Sequence, residues 1–219
     1  MRRIGIISGV ERELALFLPE VARQPAGGRV ERVEHGGKAL FLLCNGIGKV
    51  AAATAAATLH ARFDVELLLV IGTAGKIGDL PGDLFNIVEA VQADFGAQRA
   101  EGLVHYTAGS WPIGPASVSA FRAMPLPGVN LPETRIATSD LFIECGTHAA
   151  RVREKLGAML VDMETAAVAQ AAHLLGIPWA AIKATTDSAD DGSADNFVAN
   201  LDRAARAAAA AAERMIPLL

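Results

Sequence analysis

The sequence predicts an α/β fold built on a sheet whose strands run largely parallel. Short apolar runs alternate with helix-forming segments along most of the chain, as expected where helices connect successive strands. The run "VELLLVIGTAG" is continuously apolar and ends in glycines, which is how a strand covered on both faces reads. With 219 residues, 52% of them hydrophobic and 20% charged, the chain has material for a sizeable core. A single domain over residues 1–219 is expected.

Each element follows from its local pattern. Residues 3–8 read as a first strand, and a helix follows from about Glu11. Residues 29–33 and 39–44 form a strand pair around the turn "HGGK". "GIGKVAAATAAATLHARF" is a long alanine-rich helix opened by Gly46 and Gly48. The buried strand covers residues 65–75, and residues 84–91 and 134–138 are further strands. "THAARVREKLG" is a helix ended by Gly157, "AMLVDME" a buried strand, and "ETAAVAQAAHLLG" a helix ended by Gly176. Residues 178–184 are the last strand and residues 195–215 a closing helix. Residues 109–132, rich in Pro, Gly and Ser, read as irregular surface, either covering a site or merely connecting elements.

Bulk features exclude several functions. The net charge of −4 gives no support to a nucleic-acid partner. No apolar run reaches the roughly 20 residues that span a bilayer, and "MRRIGIISG" reads as a strand rather than a signal peptide. Cys44 and Cys145 stand apart without CxxC spacing, so neither a disulfide nor zinc is expected and a cytoplasmic setting fits. The five histidines are scattered without ligand spacing, so no metal is expected. No organic cofactor is indicated.

Polar residues gather where strands end. "SGVERE" carries Glu13, "DME" carries Glu164, and "TTD" carries Asp187 after a buried run. Ligands of open α/β sheets bind beyond the carboxyl ends of strands. Each acid also has a plainer reading. Glu13 and Glu164 suit the first turns of helices, and Asp187 suits an Asx turn. Singly the plainer readings lead; together the three carboxylates point to one site. The loops "GIGK" and "GTAGKIG" lack the spacing of a P-loop or a dinucleotide fingerprint, so neither names a ligand. Three carboxylates suit cleavage of a C–N bond to ribose: one protonates the leaving purine, one activates water, and one accepts the sugar hydroxyls beside a cationic transition state.

From "IGIISGVERE" through "NGIGKVAAA", "GTAG", "SDLFIECG" and "VDMETAAVAQ" to "ATTDSAD" and "DNF", the chain resembles the nucleoside phosphorylase superfamily. Within it, the chain is most similar to the 5'-methylthioadenosine/S-adenosylhomocysteine nucleosidases. The resemblance implies a single-domain three-layer α/β/α fold with a central mixed, largely parallel twisted sheet. It implies a homodimer acting on a small purine nucleoside. Glu13 resembles the family's water-activating glutamate and Asp187 the general acid serving purine N7, with Thr186 beside it. Met163 and Glu164 resemble the ribose-side pair. Phe142 resembles the aromatic that stacks on the base, and Ile143 the residue whose backbone reads the base edge. Phe197 resembles the aromatic near the sugar and its 5' group, and Thr73 reaches the water or sugar.

There are departures. Asp162 stands where glutamate is common and Lys183 where arginine is usual, although lysine lacks arginine's planar fork of donors. In residues 93–114, "DFGAQRAEG" looks more like futalosine hydrolases, whereas Asp187 favours an adenine-type site because those hydrolases tend to carry asparagine there. The leading expectation is a hydrolase of 5'-substituted adenosines. The alternatives are hydrolysis of a related nucleoside such as futalosine, a phosphate-dependent phosphorylase, for whose phosphate arginine "ISGVERE" offers only Arg12 in a different sequence setting beside Glu13, and a nucleoside-binding protein without turnover.

Overall fold

The structure, a computed structural model, describes residues 2–128 and 130–219. The first strand, β1 (Arg3–Ile7), leads into a short helix, α1 (Glu11–Ala15). A meander of β2 (Gln24–Gly27), β3 (Val30–His35) and β4 (Lys38–Leu43) follows, and then α2 (Lys49–Phe63). The long strand β5 (Leu67–Lys76) precedes β6 (Leu84–Gln92), a hairpin of β7 (Gly96–Arg99) and β8 (Gly102–His105), and the two-residue β9 (Phe121–Arg122). The chain continues through β10 (Glu133–Thr138), α3 (Gly146–Leu156), β11 (Leu160–Asp162), α4 (Thr165–Leu175) and β12 (Trp179–Asp187). It closes with α5 (Ser193–Met215) and a turn of 3-10 helix, Ile216–Leu218.

The sheet is mixed. β4, β1, β5 and β12 are neighbours and run parallel. β6, β10 and β11 also run parallel to one another. β12 joins this second set antiparallel, through β6. β11 also pairs antiparallel with the end of β5, Leu160 opposite Lys76 and Val161 opposite Gly75. That side of the sheet therefore folds back on itself.

The packing follows the period-two rule for strands. Leu67, Leu69 and Ile71 of β5 face a cluster built with Leu14, Ala204, Ala208 and Ala212 of α1 and α5. Leu68 and Val70 face the opposite cluster, with Ala52, Ala55, Leu59, Ala166 and Ala169 of α2 and α4. A strand covered this way reads as unbroken hydrophobicity because both of its faces are core. Each buried Leu or Ile contributes about 1.5–3 kcal/mol relative to exposure.

Three expectations are corrected, and some elements are added. β12 runs on through Asp187 rather than stopping at residue 184, because its pairing with β5 continues, Thr185 opposite Ala74 and Asp187 opposite Gly75 across a bulge. Residues 109–132 are not wholly irregular: Phe121 and Arg122 pair with β6. Val129, in that segment, lies outside the described residues. The hairpin β7–β8 and the edge strand β2 have no counterpart in the sequence reading. The buried run at "AMLVDME" yields only the three residues of β11. Among the described residues no helix is long and apolar enough to cross a membrane.

Candidate active site

A cavity of about 430 Å3 opens where β5 and β12 end, walled by the loops after β1, β10 and β11 and by the start of α5. All nine residues singled out from the sequence line it: Glu13, Thr73, Phe142, Ile143, Met163, Glu164, Thr186, Asp187 and Phe197. The acids arrive by different routes. Glu13 and Asp187 come from the carboxyl ends of parallel strands, as expected. Glu164 follows β11, which runs against β5. It reaches the same place because β11 pairs with the last residues of β5.

Glu13 is buried, and both of its oxygens are held. Oε1 accepts the Thr73 N–H at 2.8 Å and the Thr73 hydroxyl at 2.6 Å, and Oε2 accepts the Ser8 hydroxyl at 2.5 Å. Gly72 backs this carboxylate so closely that a Cβ there would collide with it, and its φ of +147° is one that side chains avoid. The helix α1 contributes little beyond direction, being five residues long.

Asp187 is fixed on both oxygens. The Thr186 hydroxyl donates to Oδ2 at 2.7 Å, and the Ala189 N–H donates to Oδ1 at 3.0 Å. The second bond is the Asx turn of the plainer reading, so Asp187 makes that turn and lines the cavity as well. Asn200 of α5 donates to the Thr186 carbonyl at 2.9 Å and braces the strand end.

Glu164 occupies the residue before α4 but makes no capping bond. The N–H groups that such a cap would satisfy are taken elsewhere: that of Ala166 goes to Thr138 Oγ1 at 2.9 Å and that of Ala167 to the Glu164 backbone carbonyl at 3.0 Å, while the Thr165 N–H goes to Asp162 Oδ2 at 3.0 Å. Glu164 Oε1 accepts the Gly48 N–H at the start of α2, at 3.2 Å. Gly9 leaves room for it, since a Cβ there would stand 2.5 Å from Oε1. Burial pushes the Glu164 carboxyl up to about 7. Lys183 opposes that rise, Asp162 adds to it, the Gly48 N–H opposes it and Glu13 adds to it.

The remaining wall is apolar. Phe142 and Phe197 meet edge to face at the mouth, with ring centroids 5.9 Å apart and planes at 77°. Val10, Ile47, Leu141 and Val198 continue this lining. Among the described residues no arginine, lysine or histidine lines the cavity. Arg12 turns away from it into an exposed ion pair with Asp202. No group of three or more His, Cys, Asp or Glu placed to hold a metal occurs among the described residues.

Some participants were not singled out from the sequence. Ser8 was visible only as a polar residue after β1, and its bond to Glu13 depends on the turn into α1. Lys49, within "GIGK", donates to Asp94 at 2.6 Å and to Gln92 at 3.1 Å. Asp94 in turn accepts the Asp140 N–H at 2.9 Å, and Asp140 accepts the Lys49 N–H at 2.7 Å. This network ties the start of α2 to the loop carrying Phe142. Nothing in the sequence joins residues so far apart.

A family model described as the phosphorylase superfamily matches residues 3–217. A 5'-methylthioadenosine/S-adenosylhomocysteine nucleosidase of Chromohalobacter salexigens is 30% identical, over 100% of this chain and 98% of that protein. Among solved structures, an S-adenosylhomocysteine nucleosidase from Streptococcus pyogenes, in complex with 5-methylthiotubericidin, superposes with a TM-score of 0.86 at 24% identity, covering 100% of this chain and 97% of that one. A futalosine hydrolase of Helicobacter pylori superposes with a TM-score of 0.83 at 23% identity, covering 100% and 98%.

Proposed function

The chain belongs to the phosphorylase superfamily, and on that premise we propose that it is a nucleosidase. It uses water to cleave the N-glycosidic bond of purine nucleosides and takes 5'-substituted adenosines such as 5'-methylthioadenosine and S-adenosylhomocysteine. One observation carries the reading: Glu13, Glu164 and Asp187, from three separate parts of the chain, are buried on the wall of one largely apolar cavity.

The residues divide the work as follows. Asp187 gives a proton to purine N7, so the C1'–N9 bond breaks with its electron pair leaving on a neutral base. Glu13 takes a proton from the attacking water, whose oxygen bonds to C1'. Thr73 and Ser8 hold that carboxylate while leaving lone pairs for the water. Glu164 accepts the ribose hydroxyls, with Met163 against the sugar, and its charge favours the oxocarbenium-like transition state. The Thr186 hydroxyl keeps Asp187 aimed. Phe142 stacks on the base, the Ile143 backbone reads its edge, and Phe197 with Val198 receives an apolar 5' group. Proton return from Glu13 to Asp187 through solvent resets the site.

The nucleosidase names of the curated relatives support this substrate class. The absence of a basic residue from the described cavity wall, with Arg12 engaged by Asp202, argues against a phosphorylase. A homodimer, a cytoplasmic setting and a one-domain, three-layer α/β/α arrangement belong to the same reading. The two helix-bearing core clusters on opposite faces of the sheet support the layering.

The test is product chromatography with 5'-methylthioadenosine, S-adenosylhomocysteine, adenosine, inosine and futalosine, each with and without phosphate. Free base and free sugar from the 5'-substituted adenosines, unaffected by phosphate, are expected. Glu13→Gln and Asp187→Asn should each lower kcat by on the order of 10²–10⁴-fold. Full activity in either variant would remove the assigned roles, and base release only with phosphate would make the enzyme a phosphorylase.

A further inference from the structure

Two buried residues of opposite charge, Asp162 and Lys183, are bonded to each other. Lys183 lies in the middle of β12, opposite Gly72 of β5 and Phe85 of β6. Its ammonium is 3.0 Å from Asp162 Oδ2, and both side chains are 2% exposed. Among the described residues Lys183 is the only buried cation. Three buried carboxylates act on it: Asp162 of β11, Glu164 before α4 and Glu13 of α1. Burial alone would lower the lysine's proton affinity; the carboxylates outweigh it and hold the group charged, above the ordinary lysine value.

Asp162 is anchored independently of the lysine. Its Oδ1 accepts the Thr138 hydroxyl of β10 at 2.5 Å. Its Oδ2 accepts the Thr165 N–H at 3.0 Å and the Thr165 hydroxyl. Thr138 Oγ1 also accepts the Ala166 N–H at 2.9 Å. These bonds fix the turn that carries Met163 and Glu164 and hold the ammonium on the Asp162 side. Glu164 then faces the Gly48 N–H from α2, Glu13 from α1 and the cavity, with Lys183 acting on it from β12 as an attractive but indirect charge. Asp187, further along β12, lines the same cavity.

We propose that Lys183 and Asp162 form a positioning couple: Asp162 keeps the ammonium from pairing with Glu164, and Lys183 at one remove keeps Glu164 able to ionise, so that this carboxylate stays free for the sugar hydroxyls. The role given to Glu164 rests on the nucleosidase reading. The charge partition itself does not. A buried pair of this kind is weak evidence for stability, because desolvation offsets its attraction. Its contribution lies in dividing one cation among three acids.

The couple predicts shifts of opposite sign. Asp162→Asn removes a negative neighbour and frees the ammonium to approach Glu164, so Glu164 should titrate lower. Lys183→Met removes the counter-charge, so Glu164 should titrate higher. Each shift is expected to be about one pH unit or more. Lys183→Arg should stay near the parent value. The measurement is a carbon-13 NMR titration of the carboxyl signals in ligand-free protein labelled on glutamate, with Glu164 assigned by its loss in Glu164→Gln. The acidic limb of the pH profile of kcat/KM for 5'-methylthioadenosine should move in the same directions.

Lys183→Met leaves a buried Asp162 unpaired and could fail to fold. The double variant Asp162→Asn/Lys183→Met buries a neutral pair instead, and its Glu164 midpoint should lie above that of Asp162→Asn alone. Shifts of the same sign in both single variants would overturn the couple. So would no shift in Asp162→Asn, or a double-variant midpoint no higher than that of Asp162→Asn. The titration needs no turnover. Shifts of the stated signs in a protein that releases no base would leave the charge partition standing and remove the nucleosidase reading. Base release without those shifts would remove the couple alone.

Discussion

Glu164 illustrates how one carboxylate links chemistry to stability. Burial raises it from 4.5 to about 7, so the folded protein holds this proton more tightly than the unfolded chain does. The resulting stability is fully present below about pH 4.5 and is lost as pH rises through about 7. Its size is roughly 3 kcal/mol, at about 1.4 kcal/mol per pH unit. Glu164→Gln carries no such proton. Urea unfolding between pH 5 and pH 8 should therefore show wild type losing more stability than the variant, by roughly that amount. Parallel pH profiles would mean that Glu164 titrates alike in both states. The Thr-Asp step at the end of β12 was visible in the sequence, as were Glu13 and the helix-start position of Glu164. That the first-turn N–H groups go to Asp162 and Thr138, leaving the Glu164 side chain out of the cap, was not, because Thr138 lies far away along the chain.

Elements with dense local patterns were legible, and those formed by pairing were not. β5 and α2 announce themselves through an apolar run and a run of alanines. β9 is two residues long and exists because Glu89 and Ala90 offer an edge to it. β12 extends past its apolar residues because β5 continues beside it. The loop after β10 depends on a partner in the same way. Lys49 and Asp94 are both largely buried and hold that loop against α2. Lys49→Met removes a charge-assisted bond worth about 1–3 kcal/mol. The KM for 5'-methylthioadenosine should rise about tenfold, with a smaller change in kcat, because the loosened loop carries Phe142 and Ile143. Steady-state kinetics would show this. A fall in melting temperature with unchanged KM would mean that the network supports the fold and not the binding loop.

One chain leaves much apolar surface uncovered beside the cavity. Of the residues lining it, Ile47 is 58% exposed, Leu141 57% and Val198 76%. Apolar surface gathered around a cavity mouth marks a place where something binds, and the proposed homodimer supplies a second copy to cover it. Sedimentation at micromolar concentration should give twice the 22.8 kDa chain mass. A fully active protein sedimenting at the single-chain mass would remove that proposal.

The alternation of apolar runs with alanine-rich helices determines the mixed α/β class, because strands and helices with apolar faces must bury them against one another. Glycines and acids at strand ends mark where polar groups can meet a ligand. What required the folded molecule is which charges share a space. Asp162 and Lys183 are 21 residues apart along the chain yet 3.0 Å apart through their side chains. β11 brings Glu164 to Glu13 and Asp187 by pairing against the direction the sequence suggests. Electrostatic coupling depends on distance through space and on burial, and neither can be read from spacing along the chain.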